Sequence, residues 1–423
     1  MLEKPKLFLT LKEFWLSMLL LFFLLFVRLF FLYQEYNEFK SKPFFYTNVN
    51  VVQAYEKWND DSYYTILKVY SPTLDMNFFS RTKIRAKDIT PKVRLKLFPH
   101  KNMKFSDYLG TSFIFSQINE IAASEQTPKD SLLLAIEEQH DSSMIASFYK
   151  AIFFAIPLDK ELRTQVSSLG VSHLIALSGF HLAILSGVLF FILRLFYRPL
   201  QQKFFPYRFD LLDVGFMVLV ILACYVWFVD SPPSLIRSYM MMLIGWILLV
   251  LGMELISFSF LTTIVLLLLV IFPKLLFSLA FWFSVSGVFY IFLLLLYFSH
   301  INKYLMTLLI SFGIFILMLP VVHMVFPVVN PLQLTSPFLS LGFTFFYPLS
   351  IALHLVGQGD LFDGLLLKLF MMKSSQYSMV LAPIYGLFYL LISLLAIYSK
   401  YLFYLLFVTA FGFSVGLFMG FWV

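Results

Sequence analysis

Residues 173–194 form an apolar stretch of membrane length that carries His173, Ser178 and His181. A polar side chain at membrane depth is costly unless it faces protein or water, so these three mark a candidate functional site. For a helix beginning near Leu169, a rise of about 1.5 Å per residue puts His181 roughly 18 Å in, close to the middle of a ~30 Å hydrocarbon core. Ser178 and His181 are then neighbours on one helical face. The two histidines fall about 80° apart on an unbroken helix, which suits a shared metal poorly, and no HExxH or carboxylate partner accompanies them. Gly179 permits a close helix approach or a break. Three roles fit these residue types. They can line a pore, bond one helix to another, or act as a serine–histidine hydrolase pair that lacks a visible orienting acid or oxyanion donor.

A second set is basic. Arg81, Lys83, Arg85 and Lys87 alternate with smaller or apolar residues, and Lys92, Arg94 and Lys96 do so again after a turn-like 88–91. Side chains at i and i+2 share one face of a strand, so two such strands paired predict a ribbon with seven positive charges on one side. Residues 80–104 hold nine basic residues against Asp88 alone, and that suits a polyanion bound through its phosphates. Tyr63, Tyr64, Tyr70, Phe78 and Phe79 are candidate platforms for stacked bases. The competing reading makes the lysines protectors of an edge strand and the aromatics core. A third set is the turn Ser231–Pro232–Pro233–Ser234, where Ser234 can cap a helix whose first turn carries Arg237. An arginine there opposes the helix dipole, so it serves a phosphate, an internal carboxylate or simple snorkelling.

These sets need elements to hold them. The chain has 423 residues, 60% hydrophobic and 13% charged, with a net charge of +7 and a single cysteine. Lipid is the main solvent for such a composition, and neither a disulfide nor a thiolate metal site is available within one chain. Residues 14–33 read as an uncleaved first transmembrane helix, since the run is long and no small-residue cleavage site follows. Residues 34–145 are polar, with short β-rich runs at 44–52, 63–70, 78–87 and 92–98 that predict a small all-β domain of about five strands. Further helices follow, and 146–157 is an interfacial helix too short to span. Apolar runs at 169–193, 211–229, 235–252, 255–272, 275–298, 304–326, 332–356, 378–398 and 401–422 complete about ten spans. Asp360 and Asp363 read as loop residues without chemistry. The expected division is 1–33, 34–145 and 146–423.

Arg194, Arg198, Lys203 and Arg208 against Asp210 place the loop after 193 in the cytoplasm. With the lysine-flanked N-terminus also inside, residues 34–145 fall on the outer face of the plasma (inner) membrane.

At this point the motifs match a family. The block containing Glu161, Arg163, Gly170, Ser172, His173, Leu174, Ala176, Ser178, Gly179 and His181 resembles the central signature of ComEC-type DNA-uptake channels, the inner-membrane component of natural transformation. Ser231, Pro233, Ser234 and Arg237 resemble its second signature. The resemblance implies a polytopic α-helical membrane protein with a small extracytoplasmic all-β, OB-like domain. It implies single-stranded DNA as partner, with no enzyme activity, cofactor or metal. There are departures. Trp282 stands where a polar amide is expected, the β domain lacks the cysteines that staple it in some members, and no HxHxDH cluster of a metallo-β-lactamase-like C-terminal domain is present.

The expected function is a channel that moves single-stranded DNA into the cytoplasm. Arg81, Lys83, Arg85, Lys87, Lys92, Arg94 and Lys96 bind DNA. His173, Ser178, Gly179, His181, Ser234 and Arg237 line the path. Besides lipid, the reading calls for an extracytoplasmic DNA receptor and a cytoplasmic ATP-driven motor, because the chain has no GxxxxGK[ST] phosphate loop. It leaves open a homo-oligomer. The rival readings are an intramembrane serine hydrolase built on Ser178 and His181, and a small-molecule permease.

Overall fold

The computed structural model describes residues 7–8, 10–59, 62–121, 128–253 and 257–420. The chain divides into two compact units. One holds Phe8–Asp130 with Thr262–Phe281, and the other holds Ser131–Leu261 with Trp282–Val423 and the first residues of the chain.

The first helix, α1 (Leu11–Ser41), is 31 residues long. At about 1.5 Å per residue it measures roughly 47 Å, well beyond a ~30 Å hydrocarbon core. Its first turns expose Trp15, Leu16 and Phe26, as a lipid-solvated helix does. Its last turns behave differently and bury Tyr36 and Phe39 in the core of the β domain. The Tyr36 hydroxyl donates to the carbonyl of Met103, and Lys40 donates to the same oxygen at 3.1 Å. The helix therefore outruns the span expected at 14–33, because its far end plugs the sheet.

That sheet is mixed. β1 (Phe45–Asn59), β2 (Ser62–Ser71) and β3 (Met76–Thr82) form an antiparallel meander, and β4 (Lys92–Phe98) pairs with the other edge of β1. After the short α2 (Phe105–Leu109), β5 (Ser112–Phe113) runs parallel to β3, and β6 (Phe115–Ile121) runs antiparallel to β4. Only Ile114 separates β5 from β6, so one segment reaches both edges of the sheet and joins them. Val49, Leu67, Val69, Phe78, Leu95 and Leu97 fill the interior, each almost fully buried. Each such side chain contributes about 1.5–3 kcal/mol on burial.

The remaining chain is helical: α3 (Pro128–Glu137), α4 (Ser143–Phe154), α5 (Lys160–Ser168), α6 (Ser172–Ile175), α7 (Gly179–Phe204), α8 (Asp210–Phe228), α9 (Pro233–Val250), α10 (Phe258–Ile271), α11 (Leu279–Phe298), α12 (Lys303–His323), α13 (Ser336–Leu355), α14 (Asp363–Phe370), α15 (Pro383–Leu395) and α16 (Lys400–Phe418). Among the described residues, seven helices are long and apolar enough to cross a membrane: α1, α7, α8, α11, α12, α13 with the turn before it, and α16. The protein is thus polytopic, but the expected ten spans reduce to seven of full length. The other three candidates, α9, α10 and α15, are shorter apolar helices. Proline sets two of those lengths, since α10 stops before Pro273 and α15 begins at Pro383.

The largest correction concerns 169–193. That run is not one helix. α6 ends at Ile175, Ser178 takes extended backbone angles (φ −139°, ψ 178°), and α7 starts only at Gly179 and runs on to Phe204. His181 therefore occupies the first turn of α7 and does not lie at the middle of a continuous helix.

Candidate functional site

The break between α6 and α7 leaves backbone groups that no helix satisfies, and neighbouring elements supply their partners. The carbonyl of Leu177 accepts from the Ser234 hydroxyl of α9 at 2.7 Å. The carbonyl of Gly170 accepts from Ser336 of α13 at 3.1 Å. His173 Nε2 lies 3.4 Å from the Ser340 hydroxyl, one turn further along α13. Two glycines make these approaches fit. A Cβ on Gly179 would sit 2.6 Å from the Ser238 hydroxyl, and one on Gly170, whose φ is +69°, would press on Gln333 at 3.1 Å. The segment 170–181, the start of α9 and the start of α13 thus form one polar seam.

Within the seam, His181 is fully buried. Its Nδ1 accepts the backbone N–H of Ser178 at 3.3 Å, and the Ser178 hydroxyl lies at the same distance. A neutral imidazole whose Nδ1 accepts carries its proton on Nε2. That Nε2 has no hydrogen-bond partner among the described residues. The ring stands edge-on to Phe343 and Tyr347, with centroids 5.1 and 4.8 Å away. A buried donor without a partner costs about 1–3 kcal/mol, so this histidine is held at an energetic disadvantage.

The six residues expected to line a path are brought into this region by three elements. His181 and Arg237 are buried, Ser178, Gly179 and Ser234 are half-buried, and His173 is exposed. Ser336, Ser340, Phe343 and Tyr347 were missed, although Ser336, Ser340 and Thr344 recur every fourth residue in an apolar run. That spacing is the readable signature of one polar helix face. Among the described residues no carboxylate contacts His181 and no three metal-ligating groups come together.

The basic residues are arranged differently from the expected ribbon. β3 and β4 are not neighbours, because β1 lies against β4 and β2 against β3. Arg81 lies on β3, Lys83 and Arg85 lie in the following loop, and Lys87 is in a short 3-10 turn, its side chain outside the described residues. Only Lys92, Arg94 and Lys96 keep the expected alternation, pointing out while Val93, Leu95 and Leu97 point in. The register places Tyr46 opposite Lys96 and Asn48 opposite Arg94.

Four of the basic residues have an aromatic neighbour. Arg94 lies 5.7 Å from the Tyr46 ring, and Lys96 lies 4.3 Å from Phe44. Arg81 lies 5.3 Å from Tyr64, and Arg85 lies 5.7 Å from Tyr63. Tyr63 and Tyr64 are half-buried. Phe78 is core, with no exposed area. The Tyr70 hydroxyl donates to Asp75 at 2.8 Å, and burial together with that carboxylate pushes its pKa up to about 12. Phe44 and Tyr46 were not anticipated, since their position beside β4 depends on strand pairing.

No curated protein and no solved structure matches the chain. A model of the family described as competence protein matches residues 157–373, just over half the sequence, and that region includes the broken helix, α9 and α13. With its apolar spanning helices and its matched seam, the chain belongs to the competence protein family and is a membrane protein of DNA uptake in transformation.

Proposed function

We propose that this chain is a channel passing single-stranded DNA across the plasma (inner) membrane into the cytoplasm during natural transformation. The observation that carries the reading is the outward face of the β domain, where Tyr46 accompanies Arg94 and Phe44 accompanies Lys96 in a competence-family protein. Cations hold phosphates whatever the sequence, and rings accept any base, which is the chemistry of non-specific single-strand binding. Counting β5 and β6 as one interrupted strand, the order of the sheet is that of an OB-like barrel, a fold suited to oligonucleotides.

In this reading residues 34–145 lie outside the membrane, α1 enters from a cytoplasmic N-terminus, and 146–423 form the conducting bundle. The short helices α9, α10 and α15 cross with the seven longer ones, giving ten spans. Lys92, Arg94, Lys96, Arg81, Lys83, Arg85 and Lys87 gather the strand, and Arg237 receives it. His173, Ser178, Gly179, His181 and Ser234 offer neutral contacts that hold DNA weakly enough to release it. The protein is not an enzyme. An extracytoplasmic receptor delivers DNA, a cytoplasmic ATP-driven motor pulls it, and two copies can share the path.

The contact of Ser178 with His181 at 3.3 Å is the one observation that favours a hydrolase. It lacks an orienting acid, and Nδ1 is already engaged by backbone. The test is compartment-resolved imaging of fluorescent duplex DNA in cells lacking this protein. Accumulation outside the plasma membrane without cytoplasmic entry is expected. Unchanged entry overturns the channel and returns the seam to the hydrolase or permease readings.

A further inference from the structure

His140, after α3, and His354, in the last turn of α13, meet ring to ring away from the seam. Their Nε2 atoms are 3.0 Å apart. His140 Nδ1 lies 2.9 and 3.0 Å from the two carboxylate oxygens of Asp363. His354 Nδ1 lies 2.7 Å from the carbonyl of Ser350. The His140 side chain is fully buried and stacks on Tyr149, centroids 4.7 Å apart. The setting is built for these rings. Gln139 donates to the carbonyl of His354 at 3.3 Å and accepts from the N–H of Gly359 at 3.0 Å. A Cβ on Gly359 would stand 2.8 Å from His354 Nε2.

Donors and acceptors decide what the pair holds. A carbonyl oxygen only accepts, so His354 carries a proton on Nδ1. An ionised carboxylate also only accepts, and both oxygens of Asp363 face His140, so that ring carries a proton on Nδ1 as well. Were both imidazoles neutral, their Nε2 lone pairs would face each other at hydrogen-bond length with nothing between them.

We infer that His140 and His354 form a proton-binding site, one proton bridging Nε2 to Nε2 and its charge balanced by the Asp363 carboxylate. The titratable groups facing it are Asp363 from α14 and Tyr149 from α4, while Glu137 of α3 is turned to Lys150 of α4 at 2.5 Å. A metal is disfavoured, because structural sites use about four ligands, Asp363 engages the far nitrogen of His140, and no three metal-ligating groups converge on one point among the described residues. The site ties the end of α13 to α4 and α14. Because α13 also carries Ser336 and Ser340, proton release would loosen the seam, a consequence that rests on the transport reading.

The experiment is nitrogen-15 NMR of the full chain, labelled at histidine, in lipid nanodiscs at pH 8, where an ordinary imidazole with a value near 6.5 is neutral. One ring protonated on both nitrogens, coupled through its hydrogen bond to a second ring, is the expected result. The Asp363→Asn variant should lose that signal. If the variant does not fold, the wild-type spectrum decides alone. Neutral histidines throughout, one of the pair having moved its proton from Nδ1 to Nε2, overturn the proposal. So does a spectrum that changes on treatment with a metal chelator.

Discussion

The outward face of the β domain and the seam at the broken helix handle polar groups in opposite ways. On the sheet, Lys92 and Arg94 are exposed and Lys96 is half-buried, and Arg94 and Lys96 rest beside rings, so their charge is retained at little desolvation cost. In the seam, apart from the buried Arg237, the groups are hydroxyls, imidazoles and backbone carbonyls, and among the described residues the fully buried His181 Nε2 has no partner. A face meant to capture a polyanion gains from charge, whereas a path through which it must keep moving is better lined by weak neutral contacts. In the proposed transport reading, the first region binds the strand and the second passes it.

The largest effect should come from closing the seam. Gly179→Leu drives a side chain into Ser238, whose hydroxyl lies 2.6 Å from the site of a Cβ, and should abolish DNA entry while leaving surface binding intact. Overpacking of this kind costs about 1–3 kcal/mol in thermal unfolding, and Ser238→Gly in the same chain should restore part of both losses. Entry at the wild-type level in Gly179→Leu would show that the path lies elsewhere.

Next comes the charged face. Replacing Lys92, Arg94 and Lys96 together with glutamate should weaken single-strand binding and flatten the salt dependence. With about 0.7 units of slope per phosphate contact, three lost contacts remove roughly two units. Anisotropy titrations over a range of salt concentrations measure this directly, and an unchanged slope would move DNA binding off this strand. Thermal stability should change little, because all three side chains point outward.

The smallest structural effect and the sharpest contrast belong to His181→Phe. If the histidine merely bonds helices together, its loss should destabilise the bundle. The structure gives Nε2 no partner to lose, and relief of that donor offsets the bond Nδ1 accepts from the Ser178 N–H, so stability should change by no more than about 1 kcal/mol while DNA entry falls. A clear drop in melting temperature with normal entry would reduce His181 to a packing residue.

Much of this was legible in the amino-acid order. Composition and the apolar runs determined a polytopic membrane protein, and alternation in Lys92–Phe98 determined which side chains of that strand face outward, because the pleat has a period of two. The spacing of His173, Ser178, Gly179 and His181 marked the seam and its family. Other features were out of reach. The apolar run through 169–193 reads as one helix, and the hydrogen bond from Ser234, distant in sequence, to the Leu177 carbonyl helps make the break at Ser178 affordable. The ribbon failed for a similar reason, since neighbouring basic runs end on separated strands once β1 lies against β4. Asp363, read as a loop residue without chemistry, meets His140 across 223 positions. Local pattern thus determined which residues prefer lipid, water or a given face. Which strands pair, where a helix breaks and which titratable groups meet depended on contacts between distant segments, and those only the tertiary structure decided.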